Sequence, residues 1–252
     1  MALIRGTPME QRIITTSDRP DLAEHSDAAL LADWPEFILH DRCAPELMGR
    51  AWKLFPQFDV RLLEDGAVTA GGWAVPLRWS GEPGELPDGY DGALTSALAS
   101  QRAEEAPDTL CVMAVAVHPD RQRAGLAGQV ITALRDRAAE AGLCRVVVPV
   151  RPTLKSRYPL TPMADFARWA RPDGLHLDPW IRTHQRLGAE ILRPAPRSMI
   201  VTGTVDEWQD WTGMAFPQTG TYVVPGALDL VEMDAERDQG SYTETNLWMR
   251  HV

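Results

Sequence analysis

Two residues of this 252-residue sequence carry the chemistry for moving a proton and steadying a developing negative charge. His184 stands in Trp180-Ile-Arg-Thr-His184-Gln-Arg-Leu-Gly188, and an imidazole with a pKa of about 6.5 gives or takes a proton near neutrality. Thr153 stands in Val150-Arg-Pro-Thr153-Leu-Lys155, and its hydroxyl can donate to a carbonyl or a carboxylate oxygen. Arg151, Lys155, Arg182 and Arg197 offer charge to an acidic group. A third stretch, Arg121-Gln-Arg-Ala-Gly125-Leu-Ala-Gly128, lies where an apolar run hands over to an Ala- and Leu-rich helix. Backbone N–H groups at a helix start lack intrahelical acceptors and sit at the positive end of the dipole, so this elbow is a candidate phosphate cradle. Gly125, with no Cβ, permits close approach of a ligand.

The elements that must position these residues can be read from periodicity. Residues 110–117 read as a strand, 125–141 as a helix ending at Gly142, and 145–150 as a buried strand, a βαβ unit with a parallel pair. Thr153 then falls at the carboxyl end of a parallel strand, where α/β proteins tend to bind ligands. His184 lies on a helix opened by Asp178-Pro179. Upstream, a β-favourable run covers 12–16, helical spacing covers 22–39 with a break at Pro35, a helix covers 45–55, and strands 58–63 and 68–79 flank an Asp65-Gly66 turn. Residues 80–107, with a helix over 93–104, read either as an insertion over a substrate entrance or as a plain surface loop. Downstream come a short helix at 164–170, short strands at 190–192 and 198–202, a helical turn at 206–211 and a loop-rich tail with strands at 221–224 and 246–249. Trp208, Trp211 and Phe216 are expected to pack in the core, and Asp234, Glu236 and Asp238 to form a solvated turn.

A formal net charge of −10 argues against nucleic acid and anionic membrane surfaces as partners. No apolar run approaches the roughly 20 residues of a membrane span, and the start lacks the apolar core of a signal peptide, so a cytoplasmic location is expected. Cys43, Cys111 and Cys144 have no metal-ligand spacing and read as buried small apolar side chains; no metal is expected.

The elbow lacks the lysine and spacing of a P-loop and the glycines of a dinucleotide fingerprint. What it holds, Gln122-x-x-Gly125-x-Ala127 after Val117-His118-Pro119, resembles the acetyl-CoA signature of the GNAT superfamily of N-acetyltransferases, and the element order is similar over residues 10–205. The resemblance implies an α/β GNAT fold, a central mixed twisted sheet with splayed strands 4 and 5 flanked by helices. It implies an acyl-CoA-binding domain at residues 1–205 and a C-terminal extension, 206–252, packed on the same domain.

It also implies acetyl-CoA or another acyl-CoA as co-substrate. The pyrophosphate would sit on Gln122, Arg123, Ala124, Gly125, Leu126, Ala127 and Gly128, and the pantetheine against backbone near Val115 and Val117. His184 occupies the position of a family tyrosine that lies near the departing thiolate. The fourth strand carries no counterpart of the glutamate with which many members take the amine's proton. A threonine after the fifth strand with a histidine on the next helix resembles the GNAT-like loading domains of polyketide synthases, which decarboxylate malonyl-CoA and pass the acyl group to a carrier protein. In that scheme Arg151, Arg182 or Arg197 would hold a carboxylate. The expected function is acyl transfer from a CoA thioester to a small molecule or carrier protein, with a homodimer allowed. The alternatives are malonyl- or methylmalonyl-CoA decarboxylation with S-acyl transfer, and a non-catalytic CoA-binding or scaffold protein.

Overall fold

A computed structural model describes residues 10–22 and 34–251. The strands are β1 Gln11–Thr15, β2 Asp59–Glu64, β3 Ala67–Leu77, β4 Thr109–Val117, β5 Arg145–Val150, β6 Ala189–Gly203, β7 Gly220–Tyr222, β8 Val231–Asp234 and β9 Gln239–His251. The helices are α1 Ala44–Leu54, α2 Gly89–Arg102, α3 Leu126–Glu140, α4 Met163–Phe166, α5 Pro179–Arg186 and α6 Val205–Thr212.

Among the described residues all nine strands join one mixed sheet in the order β1-β2-β3-β4-β5-β9-β8-β7, with β6 on the other edge of β9. The β2–β3 hairpin closes through Asp65 and Gly66, both at positive φ, as a two-residue turn matched to strand twist requires. β4 and β5 run parallel but pair only from Thr109↔Arg145 to Cys111↔Val147, and their carboxyl halves diverge. Opposite this divergence the β3–β4 register shifts between Trp73 and Ala74, leaving Met113 as an extra residue in β4. On β3, Gly72 faces Val130 of α3 while Trp73 faces Trp52 of α1 and Tyr90 of α2, so these helices cover opposite faces of the sheet.

The tail departs from expectation. The two short strands foreseen near 190 and 198 are one strand, β6, because Pro194 pairs in register with Leu247, and Pro196, Arg197 and Ser198 are absorbed by a register shift rather than ending the pairing. Residues 206–251, expected as a C-terminal extension packed on the same domain, contribute α6, β7, β8 and β9, and all three strands join the one sheet. Residues 204–238 form an insertion, and β9 is an inner strand with β5 and β8 on one side and β6 on the other. Trp208 and Phe216 are buried as expected, and Trp211 packs against the core. The turn at Asp234–Asp238 is held by its own carboxylates, with Asp234 accepting from the Glu236 and Arg237 amides. α2 begins earlier than foreseen and buries Leu94, Ala97 and Leu98, so residues 89–102 belong to the core.

Most of the helix expected over 22–39 lies outside the described residues, and Glu36–His40 is a 3₁₀ turn. Of the cysteines only Cys111 is buried; Cys43 stands at the start of α1 and Cys144 in the turn before β5, both exposed.

Candidate active site

The gap between the diverging halves of β4 and β5 opens into a cavity of about 490 Å³. Its walls include Val115, Val117, Gln122, Arg123, Gly125, Leu126, Ala127 and Gly128, so the expected cradle and strand edge converge on one space; Ala124 does not line it. Gly125 is the N-cap of α3 at φ 78°, and Arg123 stands at φ 65°. No side chain caps this helix, which leaves the first-turn amides of Leu126, Ala127 and Gly128 without an internal acceptor. Such a turn presents several N–H groups to one point and suits a diphosphate. Of the two elbow arginines, Arg121 is engaged with the buried carboxylate of Glu64 at 2.7 Å, whereas Arg123 is exposed.

Thr153 and Arg151 also line this cavity. Asp178 fixes their loop: its Oδ1 caps α5 by accepting from the Trp180 and Ile181 amides, and its Oδ2 accepts from the Leu154 amide at 2.6 Å and the Thr153 hydroxyl at 3.4 Å. Lys155 is fully buried, donates to the Tyr158 and Leu228 carbonyls and lies 3.7 Å from Asp229. Burial lowers its pKa, and its ammonium works as a strut between two loops.

His184, Arg182 and Arg197 are not brought to the cavity. The α5 residues that line it are Pro179, Trp180 and Thr183. The His184 ring is wholly buried, with Nδ1 3.0 Å from Nε2 of His251 on β9 and Trp180 edge-on at 4.4 Å. Burial, then the neighbouring imidazole, pulls its pKa down to about 3, and burial lowers His251 to about 4. Arg182 donates to the His176 and Leu177 carbonyls, and Arg197 is exposed in the irregular part of β6.

A second cavity of about 220 Å³ adjoins the first and shares Trp34, Tyr90, Ala114, Ala116 and Met199 with it. Its further walls include Trp52, Trp73, Met48 and Arg61, the last paired with buried Asp59. Beyond Tyr90, the carboxyls of Asp41 and Asp91 and the Cys43 thiol lie within 4.8 Å of one another. Burial and the proximity of Asp41 raise Asp91 to about 8.

Sequence reasoning missed this second cavity, and also Asn246, Ser198 and Glu244. Asn246 lines the larger cavity, and Glu244 is a fully buried carboxylate. The available signal was the alternation Tyr242, Glu244, Asn246, Trp248, which places polar and aromatic groups on one face of a strand.

Comparison with known proteins gives the family and the fold. The family model described as acetyltransferase (GNAT) family matches residues 32–158. The arginine N-acetyltransferase avaD of Aspergillus versicolor is 31% identical over 94% of this chain and 92% of its own length. Among solved structures, the loading GNATL domain of CurA from Lyngbya majuscula superposes with a TM-score of 0.59 at 16% identity, covering 97% of this chain and 98% of that one. The GphF GNAT-like decarboxylase in complex with isobutyryl-CoA gives 0.51 at 17%, covering 96% and 98%.

Proposed function

The chain belongs to the GNAT acetyltransferase family and is an acyltransferase, and we propose that it moves an acetyl group from acetyl-CoA to a basic nitrogen of an arginine-like acceptor. In this reading the CoA diphosphate rests on the amides of 123–128, with Gln122 shaping the turn. The pantetheine runs along β4 past Val117 and Val115, and the acceptor enters through the smaller cavity. The nitrogen attacks the thioester carbon, the C–S bond breaks, CoA leaves as thiolate, and the proton from nitrogen passes to solvent. Holding donor and acceptor in adjoining cavities removes the entropy cost of bringing them together.

The observation that carries the reading is the uncapped, left-handed entry to α3 opening into the gap between β4 and β5. The acceptor class rests on the name of the avaD relative and on two properties of this chain. Trp34, Trp52, Trp73 and Tyr90 offer aromatic faces, which attract guanidinium groups, and a net charge of −10 favours a cation over an anion. The decarboxylation alternative requires His184 at the thioester, and that ring lies behind Trp180 and Thr183.

Incubation with acetyl-CoA and L-arginine, followed by thiol release and product mass, tests the proposal. Thiol released only when arginine is present, with an acetylated product, supports it. Loss of CO₂ from malonyl-CoA without an amine, or transfer to a carrier protein alone, contradicts it.

A further inference from the structure

A chain of hydrogen bonds with only one possible direction runs behind the wall shared by the two cavities. The Tyr90 amide donates to Ser198 Oγ at 2.8 Å, and the serine hydroxyl donates onward to Asn246 Oδ1, a direction set by the Glu244 carboxylate beyond, which takes the Asn246 N–H. Asn246 Nδ2 donates to Glu244 Oε1 at 2.7 Å. At the far end the carboxylate can only accept, since Arg151 Nε meets both of its oxygens at 3.1 and 3.0 Å and the Tyr242 hydroxyl donates to Oε2 at 2.9 Å. Tyr242 is itself oriented by the Leu228 amide, and burial holds its pKa well above the ordinary value, so it keeps its proton.

A backbone N–H at one end and a paired carboxylate at the other fix the side-chain amide of Asn246 in a single sense. Gly89, at φ 59°, makes the first link possible; a Cβ there would stand 2.2 Å from Ser198 Oγ. Asn246 is 2% exposed and lines the larger cavity beside Arg151 and Val150. A side-chain amide carries two N–H hydrogens, and among the described residues only Glu244 accepts from Nδ2. The second is a desolvated donor in the cavity wall, and such a donor costs stability until something accepts from it.

We infer that Asn246 is a substrate-contacting residue whose second Nδ2–H donates to an uncharged carbonyl oxygen of the bound reactants, with Ser198 and Glu244 as the positioning residues that hold it. The neighbouring charge is already balanced, Arg151 against Glu244, so a neutral oxygen suits the site better than a carboxylate. The oxygen belongs either to the acyl thioester or to the acceptor. The inference rests on the acyltransferase reading given above.

Calorimetric titration of the full chain with acetyl-CoA and with CoA, which lacks the thioester carbonyl, separates the sources. If the thioester is read, Asn246→Ala lowers the preference for acetyl-CoA over CoA about fivefold and leaves CoA affinity unchanged. If the acceptor is read, both affinities stay constant and the KM for L-arginine amide, whose carbonyl is uncharged, rises by a similar factor. A folded Asn246→Ala chain with neither change overturns the inference. Should that variant fail to melt cooperatively, Ser198→Ala takes its place; it keeps Asn246 but frees its amide, so a smaller change in the same direction is expected and none would overturn the inference. Wild-type protein that binds neither ligand removes the acyltransferase reading itself, an outcome distinct from normal binding with no effect of Asn246.

Discussion

Arg151 Nε stands 3.1 and 3.0 Å from the two oxygens of Glu244, joining the loop after β5 to the inner strand β9 across 93 positions of sequence. Its Nη2 also donates to the Gly226 carbonyl at 2.7 Å. One side chain thus ties the cavity wall, the last strand and the insertion between β6 and β9. Arg151, expected from sequence as a charge for substrate, spends much of its bonding capacity inside the fold.

Removing one partner of this pair strands the other. Arg151→Met leaves the fully buried Glu244 carboxylate without its cation and is expected to cost about 3–5 kcal/mol, read as a fall in denaturant midpoint. The double variant Arg151→Met/Glu244→Gln should recover much of that loss. A single variant as stable as wild type would show that the pair carries no weight.

The two buried imidazoles make stability depend on acid. Their folded pKa values, about 3 for His184 and about 4 for His251, lie below the unfolded value of about 6.5. Between these limits the unfolded state binds more protons, so stability is intact above pH 6.5 and falls as the pH drops, by about 1.4 kcal/mol per pH unit for each histidine. The double variant His184→Gln/His251→Gln should show a shallower decline between pH 6.5 and 4.5 in chemical denaturation. Equal slopes would contradict the placement of these rings.

Asp91 acts in the opposite sense. Its folded pKa of about 8 lies above the ordinary carboxylate value, so the folded state keeps a proton that the unfolded state releases. Stability is lost as pH rises from about 4 towards 8. Asp91→Asn, which mimics the protonated form, should melt above wild type by a few degrees at pH 8 and by much less at pH 5. A difference that does not grow with pH would sink this assignment.

Legibility followed the range of the interactions. The elbow at 121–128, the hairpin turn at Asp65-Gly66 and the parallel β4–β5 pair are readable because each is set by local residue chemistry or a short periodic run, whereas the splay of that pair was implied only by the family resemblance. Thr153 was found because it follows a parallel strand. β9 was reduced to four residues, 246–249, because Ser241, Thr243 and Thr245 interrupt its apolar pattern, and the partners of Ser241 and Thr243 on β6 and β8 are distant in sequence. His184 was placed by position in a motif, but the side chain's direction depends on His251, 67 residues away. The aromatic cavity stayed hidden because Trp52, Trp73 and Tyr90 meet only when α1, β3 and α2 are packed.

The central claim is that the main-chain donors of the elbow grip the diphosphate of CoA. Its most direct test is a calorimetric titration of CoA into wild-type protein and into Gly125→Val, whose side chain cannot readily take the φ of 78° at the entry to α3. Saturable binding to wild type, weakened at least about tenfold in a still-folded variant, is the predicted result. Equal affinity in the two proteins, or no binding to wild type, contradicts the account.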